Sequence, residues 1–137
     1  MIPAKDQTLK INSHTQSLRL VERLVEDVSQ IYNLNEDCYG NMLIAVTEAV
    51  NNAIFHGNQN NPDKLIKIGF EVTEGQLIFS VTDEGPGFDF RSLPDPTDPN
   101  NIDKLNGRGV FLMTSLSDSI QFDNNGAKVS IGFNHHT

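Results

Sequence analysis

Residues 48–58 read Glu48-Ala49-Val50-Asn51-Asn52-Ala53-Ile54-Phe55-His56-Gly57-Asn58, a mixture of polar and apolar residues at helical spacing. They close a predicted helix over residues 36–56. The buried stripe of this helix consists of Leu43, Val46, Val50 and Ile54. Glu48 and Asn52 are four positions apart, so they share a helix face that points away from the stripe. His56 extends this polar row by one turn, and Asn51 flanks it.

The polar row has two interpretations. An asparagine carbonyl oxygen is an acceptable ligand for Mg²⁺, and a carboxylate one turn away can orient or deprotonate a nucleophile near a phosphate. Alternatively, the row is the solvated face of an amphipathic helix and binds nothing. In both cases Gly57 is predicted to take a left-handed conformation and cap the helix.

The period of the apolar residues divides the rest of the chain into helices and strands. A first helix is predicted over residues 15–31 and ends at Asn33 and Asn35, and a short third helix is predicted at about 109–117. The apolar stripe of the first helix is Leu18, Val21, Leu24, Val25, Val28 and Ile31. The predicted strands are residues 7–12, 65–72, 76–82, 119–122 and 128–133. Turns at Glu74-Gly75 and Asn124-Asn125-Gly126 join strands into hairpins.

This order of elements predicts an α+β fold. Two helices follow the first strand, and a long irregular segment separates the central hairpin from the third helix and the last hairpin. The expected architecture is a two-layer α/β sandwich with a mostly antiparallel sheet and helices on one face. We expect residues 1–137 to form a single domain.

A first glycine-bearing loop follows the strand that ends at Thr82, and reads Asp83-Glu84-Gly85-Pro86-Gly87. An ionised carboxylate accepts hydrogen bonds, so Asp83 suits the exocyclic amine of adenine. Gly85 and Gly87 would let the backbone approach a planar base closely. The alternative is an ordinary turn without a ligand.

A second glycine-bearing segment, Gly107-Arg108-Gly109, precedes Val110 at the expected start of the third helix. Helix N-termini bind phosphates through free N–H groups and the helix dipole, and Arg108 or Lys104 would add positive charge. The alternative is a flexible loop with a glycine N-cap. The chain has neither a P-loop motif nor a Rossmann glycine motif.

Composition excludes several classes of function. The net charge of −8 argues against a nucleic acid partner. Cys38 is the only cysteine, so neither an intramolecular disulfide nor a thiolate metal cluster can form. No apolar run approaches the roughly 20 residues that span a bilayer, and the N-terminus lacks an apolar signal core. We therefore expect a cytoplasmic protein that does not insert into membranes.

Together, three of these segments resemble the GHKL (histidine-kinase-like) ATPases, which have the Bergerat fold. Residues 48–58 resemble the N-box, residues 83–87 the G1 box and residues 107–113 the G2 box, in the family's order. Within this superfamily the chain is most similar to the small anti-sigma-factor serine kinases. The resemblance implies ATP and Mg²⁺ as cofactors, and a sigma factor or a serine-bearing STAS-type antagonist as partner. It also implies a homodimer.

The resemblance assigns roles to individual residues. Glu48 would be the general base, Asn52 the Mg²⁺ ligand and Asp83 the partner of the adenine amine, with Gly85 and Gly87 beside the base. Residues 92–106 would form the ATP lid. The other candidate nucleotide-binding residues are Asn51, His56, Lys104, Gly107, Arg108, Gly109 and Val110.

The chain departs from the family at two positions. Ala127 stands where the family often has a threonine after glycine, which removes a hydroxyl near the base, and Arg108 stands where small or apolar residues are frequent. Two alternative functions remain open. One is a nucleotide-gated protein-binding module without phosphotransfer. The other is the ATP-binding half of a sensor histidine kinase, although no helical hairpin with a phosphoacceptor histidine precedes the domain.

Overall fold

The computed structural model describes residues 6–59, 61–73, 75–85 and 105–134. The helices are α1 (Leu18–Ile31), α2 (Glu36–Asn52) and α3 (Leu105–Leu116). The strands are β1 (Asp6–Asn12), β2 (Leu65–Thr73), β3 (Gln76–Thr82), β4 (Ser119–Asp123) and β5 (Lys128–Asn134). Short 3₁₀ turns occupy Thr15–Ser17 and Asn124–Gly126, and a π turn follows α2 at Ala53–Gly57.

The five strands form one sheet in the order β1-β2-β3-β5-β4, and every neighbouring pair is antiparallel. Alternate residues of the central strands are buried, as a sheet with one covered face requires. These inward residues are Ile66, Ile68, Phe70, Leu77, Phe79, Val81, Val129, Ile131 and Phe133. The predicted α+β sandwich is confirmed.

Local sequence explains where the first two helices meet. The Oδ1 of Asn35 accepts from the N–H of Cys38 at 2.7 Å and caps α2, and Glu36 and Asp37 complement the dipole in its first turn. Asn33 is left-handed, with φ of 53°, and the N–H of Leu34 bonds to the carbonyl of Ser29 at 3.0 Å. This is a Schellman end to α1. Asn33 thus ends the first helix, as predicted, and Asn35 begins the next one.

The core lies between the helices and the inward face of the sheet. Val21, Leu24, Val25 and Val28 of α1 are buried, together with Met42, Ala45, Val46, Ala49 and Val50 of α2. Ile31 was predicted to belong to the buried stripe, and this was wrong: it is 44% exposed in the last turn of α1. None of the helices in the described parts of the chain is long and apolar enough to cross a bilayer.

Two predictions about helix ends were also wrong. Gly57 is not left-handed; the positive φ in this region, 53°, belongs to Gln59. The third helix starts at Leu105 rather than near 109, so Gly107 and Gly109 lie inside its first two turns. The predicted lid, residues 92–106, lies outside the described residues except for its last two, which belong to α3.

Candidate functional site

A cavity of about 230 Å³ opens between α2, the π turn and α3 on one side and the ends of β3, β4 and β5 on the other. Three predicted site residues line it: Asn52, His56 and Asp83. The other lining residues are Ala49, Ala53, Gly57, Gln59, Val81, Met113, Phe122, Gly126, Ala127 and Val129. The fold therefore brings the helix residue Asn52 and the strand-end residue Asp83 to one hollow.

Asp83 is held at the end of β3 by its own backbone and side chain. Its N–H donates to the carbonyl of Ala127 at 2.9 Å, which extends the β3–β5 ladder by one bond. Its Oδ1 accepts from the N–H of Gly85 at 2.7 Å. The carboxylate lies against Gly57, where an added Cβ would be 2.2 Å from Oδ2. Gly57 is therefore required for space and not for a left-handed backbone.

The surroundings of Asp83 oppose its ionisation. Desolvation by burial raises the pKa of its carboxyl group, although the hydrogen bond from Gly85 and the positive charge of Lys64 act in the other direction. A partly desolvated carboxylate at the wall of a cavity is a strong acceptor for a ligand N–H group. This suits recognition of an amine such as that of adenine.

Gly85 brings its loop against the π turn. An added Cβ on Gly85 would lie 2.0 Å from the carbonyl oxygen of Gly57, so only glycine permits this approach. Gly85 is not among the lining residues of the described part of the cavity, so its place beside the base stays a prediction. Gly87 lies outside the described residues.

Asn52 faces the start of α3. An added Cβ on Gly109 would lie 2.9 Å from Nδ2 and 3.0 Å from Oδ1 of Asn52, so Gly109 leaves room for this amide between the two helices. Gly107 and Arg108 belong to the first turn of α3, whose N–H groups have no partner within the helix. Val110 is half-buried against the core. Lys104 lies outside the described residues.

Glu48 and Asn51 have no lining contact in the described part of the cavity. Both are half-buried on α2, and Glu48 lies one turn before Asn52. Their predicted roles as general base and nucleotide-binding residue therefore stay predictions. His56 lies at the cavity, and desolvation lowers the pKa of its imidazole, which favours the neutral ring.

The apolar wall of the cavity was not predicted from the sequence. Val81, Phe122 and Val129 form it from the sheet, and Met113 from α3. In the sequence these residues have the same alternation as core residues. Their position relative to Asp83 could have identified two of them. Val81 lies two residues before Asp83, and the strand register places Val129 directly opposite Val81.

Comparison with known proteins agrees with this geometry. Residues 11–133 match a family described as the histidine kinase-like ATPase domain. Over 122 residues the chain is 25% identical to the serine-protein kinase RsbW of Oceanobacillus iheyensis, covering 85% of this chain and 77% of that protein. It is 35% identical to the anti-sigma F factor of Clostridium beijerinckii, over 64% of each chain. It is 42% identical to the serine-protein kinase RsbW of Staphylococcus aureus, over 56% of this chain and 53% of that protein.

A solved structure shows the same fold. The RsbU and RsbW domains of Rv1364c from Mycobacterium tuberculosis superpose with a TM-score of 0.65 at 14% identity, over 98% of this chain and 33% of that one. The family match extends from β1 to β5 and includes every residue that lines the cavity. The chain belongs to the histidine kinase-like ATPase domain family.

Proposed function

We propose that this chain is an ATP-dependent protein serine kinase and anti-sigma regulatory factor, with residues 1–137 as one ATP-binding domain. The observation that carries the proposal is the single cavity lined by both Asn52 and Asp83. Its family and the names of its relatives, serine-protein kinase and anti-sigma F factor, support the same activity.

The apolar part of the cavity suits the adenine base. Its volume of about 230 Å³ lies below the roughly 300–1,000 Å³ of clefts that enclose a whole drug-sized ligand. We therefore assign it to the base, with Asp83 accepting from the exocyclic amine. The phosphates are assigned to the first turn of α3 beside Asn52, because free N–H groups at a helix start attract anions.

The residues at the cavity also fit a magnesium ion. No cluster of three or more histidine, cysteine or carboxylate side chains occurs in the described parts of the chain. Mg²⁺ accompanying a nucleotide usually takes only one or two protein oxygens, with phosphates and water completing its shell. The amide oxygen of Asn52 would serve as such a ligand. Bound magnesium offsets the charge of the triphosphate, and Lys104 and Arg108 would add to that effect.

Glu48 would act as the general base of phosphate transfer. In this step the Oγ of the substrate serine forms a bond to the γ-phosphorus, and the serine proton passes to the Glu48 carboxylate. The bond from the γ-phosphorus to the bridging oxygen breaks, and ADP leaves with that electron pair. The serine would belong to a STAS-type antagonist. The phosphorylation state of that antagonist would decide whether this chain captures or releases a sigma factor. A homodimer and a cytoplasmic location remain predictions.

Transfer of labelled phosphate from Mg·ATP to a purified STAS-type antagonist tests the proposal. Wild type should transfer phosphate and Glu48→Ala should not, while Glu26→Ala, an exposed glutamate of α1, serves as the matched control. Equal transfer by all three proteins would remove Glu48 from the chemistry. Failure of wild type to bind ATP in a calorimetric titration would remove the proposed function altogether.

A second function is a nucleotide-gated protein-binding module without phosphotransfer. The position of Glu48 favours it, because this residue does not line the described part of the cavity. Such a module would bind ATP through Asp83 and capture its partner protein equally well with glutamate or alanine at position 48. The transfer assay above, combined with partner capture by Glu48→Ala, separates the two functions.

A further inference from the structure

Asn58, directly after the π turn, is the centre of a buried polar cluster. Its side chain is fully buried, and Ser13, directly after β1, is 3% exposed. The Nδ2 of Asn58 donates to the Oγ of Ser13 at 2.5 Å and to the carbonyl of Leu65 at 3.1 Å. The Oδ1 of Asn58 accepts from the N–H of Glu84 at 2.8 Å. The amide thus joins the end of α2, the end of β1, the start of β2 and the loop after β3.

The same loop is attached to β2 a second time. The side-chain Oε2 of Glu84 accepts from the N–H of Leu65. The carbonyl of Leu65 therefore accepts from Asn58, and its N–H donates to Glu84. The Oγ of Ser13 donates to the carbonyl of the preceding Lys64 at 3.0 Å. These bonds fix Glu84, the second residue after β3, to a strand that does not line the described part of the cavity.

Three successive N–H groups of this loop each have a defined acceptor. The N–H of Asp83 bonds to Ala127, that of Glu84 to Asn58 and that of Gly85 to the Asp83 carboxylate. The central bond is the one made by a side chain from another element. The backbone on either side of Asp83 sets the direction of its carboxylate, and Asn58 holds the residue that follows Asp83 without lining the described part of the cavity.

Only asparagine supplies this set of bonds at this length. It offers one oxygen acceptor and two N–H donors, and here all three are used. Aspartate keeps the acceptor but loses both donors, and a buried polar group left without partners destabilises its surroundings. A purely structural role would lower stability alone, whereas control of the Asp83 carboxylate would also change which base is preferred.

We propose that Asn58 is a positioning residue that aims the Asp83 carboxylate at the base and so sets the preference for adenine over guanine. This inference rests on the proposed nucleotide-binding function. Adenine presents an amino donor where guanine presents a carbonyl acceptor. A carboxylate held in one direction therefore favours ATP over GTP. A carboxylate that is free to change direction discriminates less between these two nucleotides.

The test compares wild type with Asn58→Asp, Ser13→Ala and Val28→Ala. Ser13→Ala removes one partner of Asn58 and is the milder change if Asn58→Asp folds poorly. Val28→Ala is the control, because Val28 is buried in α1, is not among the residues that line the described part of the cavity, and makes none of the hydrogen bonds of the Asn58 cluster. Dissociation constants for ATP and GTP are measured well below each unfolding midpoint, together with amide hydrogen exchange of Glu84 without nucleotide.

We expect Asn58→Asp to weaken ATP binding about tenfold, which corresponds to about 1.4 kcal/mol, and to weaken GTP binding less. Ser13→Ala should act in the same direction by about threefold, and both should speed exchange at Glu84. Val28→Ala should lower the unfolding midpoint and leave the ratio of ATP to GTP affinity unchanged.

Two results would overturn the inference. The first is an unchanged ATP-to-GTP ratio in Ser13→Ala and Asn58→Asp, with only the unfolding midpoint lowered as in the control. The second is wild type that binds neither nucleotide. The second also removes the proposed function, and it is recognised from wild type alone, so the two failures are distinguishable.

Discussion

The carboxylate of Asp83 fills the space that a side chain on Gly57 would need. A Cβ at position 57 would lie within 2.2–2.7 Å of both oxygens and the carboxyl carbon of Asp83. One residue comes from the turn after α2 and the other from the end of β3, so their contact joins the helical layer to the sheet at the wall of the cavity.

Gly57→Ala is expected to displace the Asp83 carboxylate and weaken ATP binding by at least about tenfold, the effect of losing one aligned hydrogen bond to a charged group. Calorimetric titration measures this. Gly40→Ala is the matched control, because an added Cβ there meets nothing within 4 Å. It should stabilise α2 by about 1 kcal/mol and leave ATP binding unchanged. Equal ATP affinity of the two variants would contradict the prediction.

Gly109→Ala is expected to alter the contribution of magnesium to ATP affinity more than the recognition of the base. The added Cβ would lie 2.9 Å from Nδ2 of Asn52, which is the free end of a side chain and can move aside without unfolding the protein. ATP affinity should therefore lose most of its dependence on Mg²⁺. Titrations with and without Mg²⁺ measure this. Thr114→Ala, at an exposed site on the same helix, should retain the wild-type dependence.

Asp83→Asn is expected to weaken ATP binding and to stabilise the fold at neutral pH. Burial raises the pKa of Asp83 in the folded protein, so the folded state holds this proton more tightly than the unfolded state. The stability of wild type relative to Asp83→Asn should then fall as pH rises from the ordinary aspartate pKa of about 3.9 through the raised value, and level off above it.

Urea unfolding of both proteins across this pH range measures the difference. The variant retains an oxygen that can accept from Gly85, so loss of that bond does not obscure the result. Wild type that gains stability relative to Asp83→Asn with rising pH would show that the carboxylate is stabilised, not desolvated.

Ala127→Thr is expected to strengthen ATP binding by a few-fold, the net value of about one hydrogen bond. Ala127 lines the cavity, and its carbonyl accepts from the N–H of Asp83, so a hydroxyl here would lie beside the carboxylate and the base. Ala127→Val has nearly the same shape without the hydroxyl. If valine and threonine give the same affinity, the hydroxyl has no part in recognition.

The sheet and the main helices could be predicted from the sequence because their signals are local. Alternation in residues 65–72 and 76–82 predicted β2 and β3 to within one residue. Asn33 and Asn35 act on bonds within five residues of themselves. Of the predicted polar row, Asn52 and His56 line the cavity, whereas Glu48 does not line its described part.

Two features of the site that the sequence did not predict depend on distant partners. Gly57 was interpreted as a helix cap from its neighbours, but its requirement comes from Asp83, on another element. Asn58 bonds to Ser13 and Glu84, which are 45 and 26 positions away. The hydrogen-bond partners of such a buried amide cannot be predicted from a sequence pattern before the sheet register is known.

The π turn at Ala53–Gly57 fixes the number of residues between α2 and the loop that follows it. The N–H of Asn58 reaches the carbonyl of Ala53, five positions back, at 2.8 Å. A regular α turn would bond four positions back, so this turn holds one residue more than an α turn would. The extra residue lies in the connection that brings Gly57 to Asp83 and Asn58 to Ser13. The length of this stretch is therefore as much a part of the site as the side chains that line it.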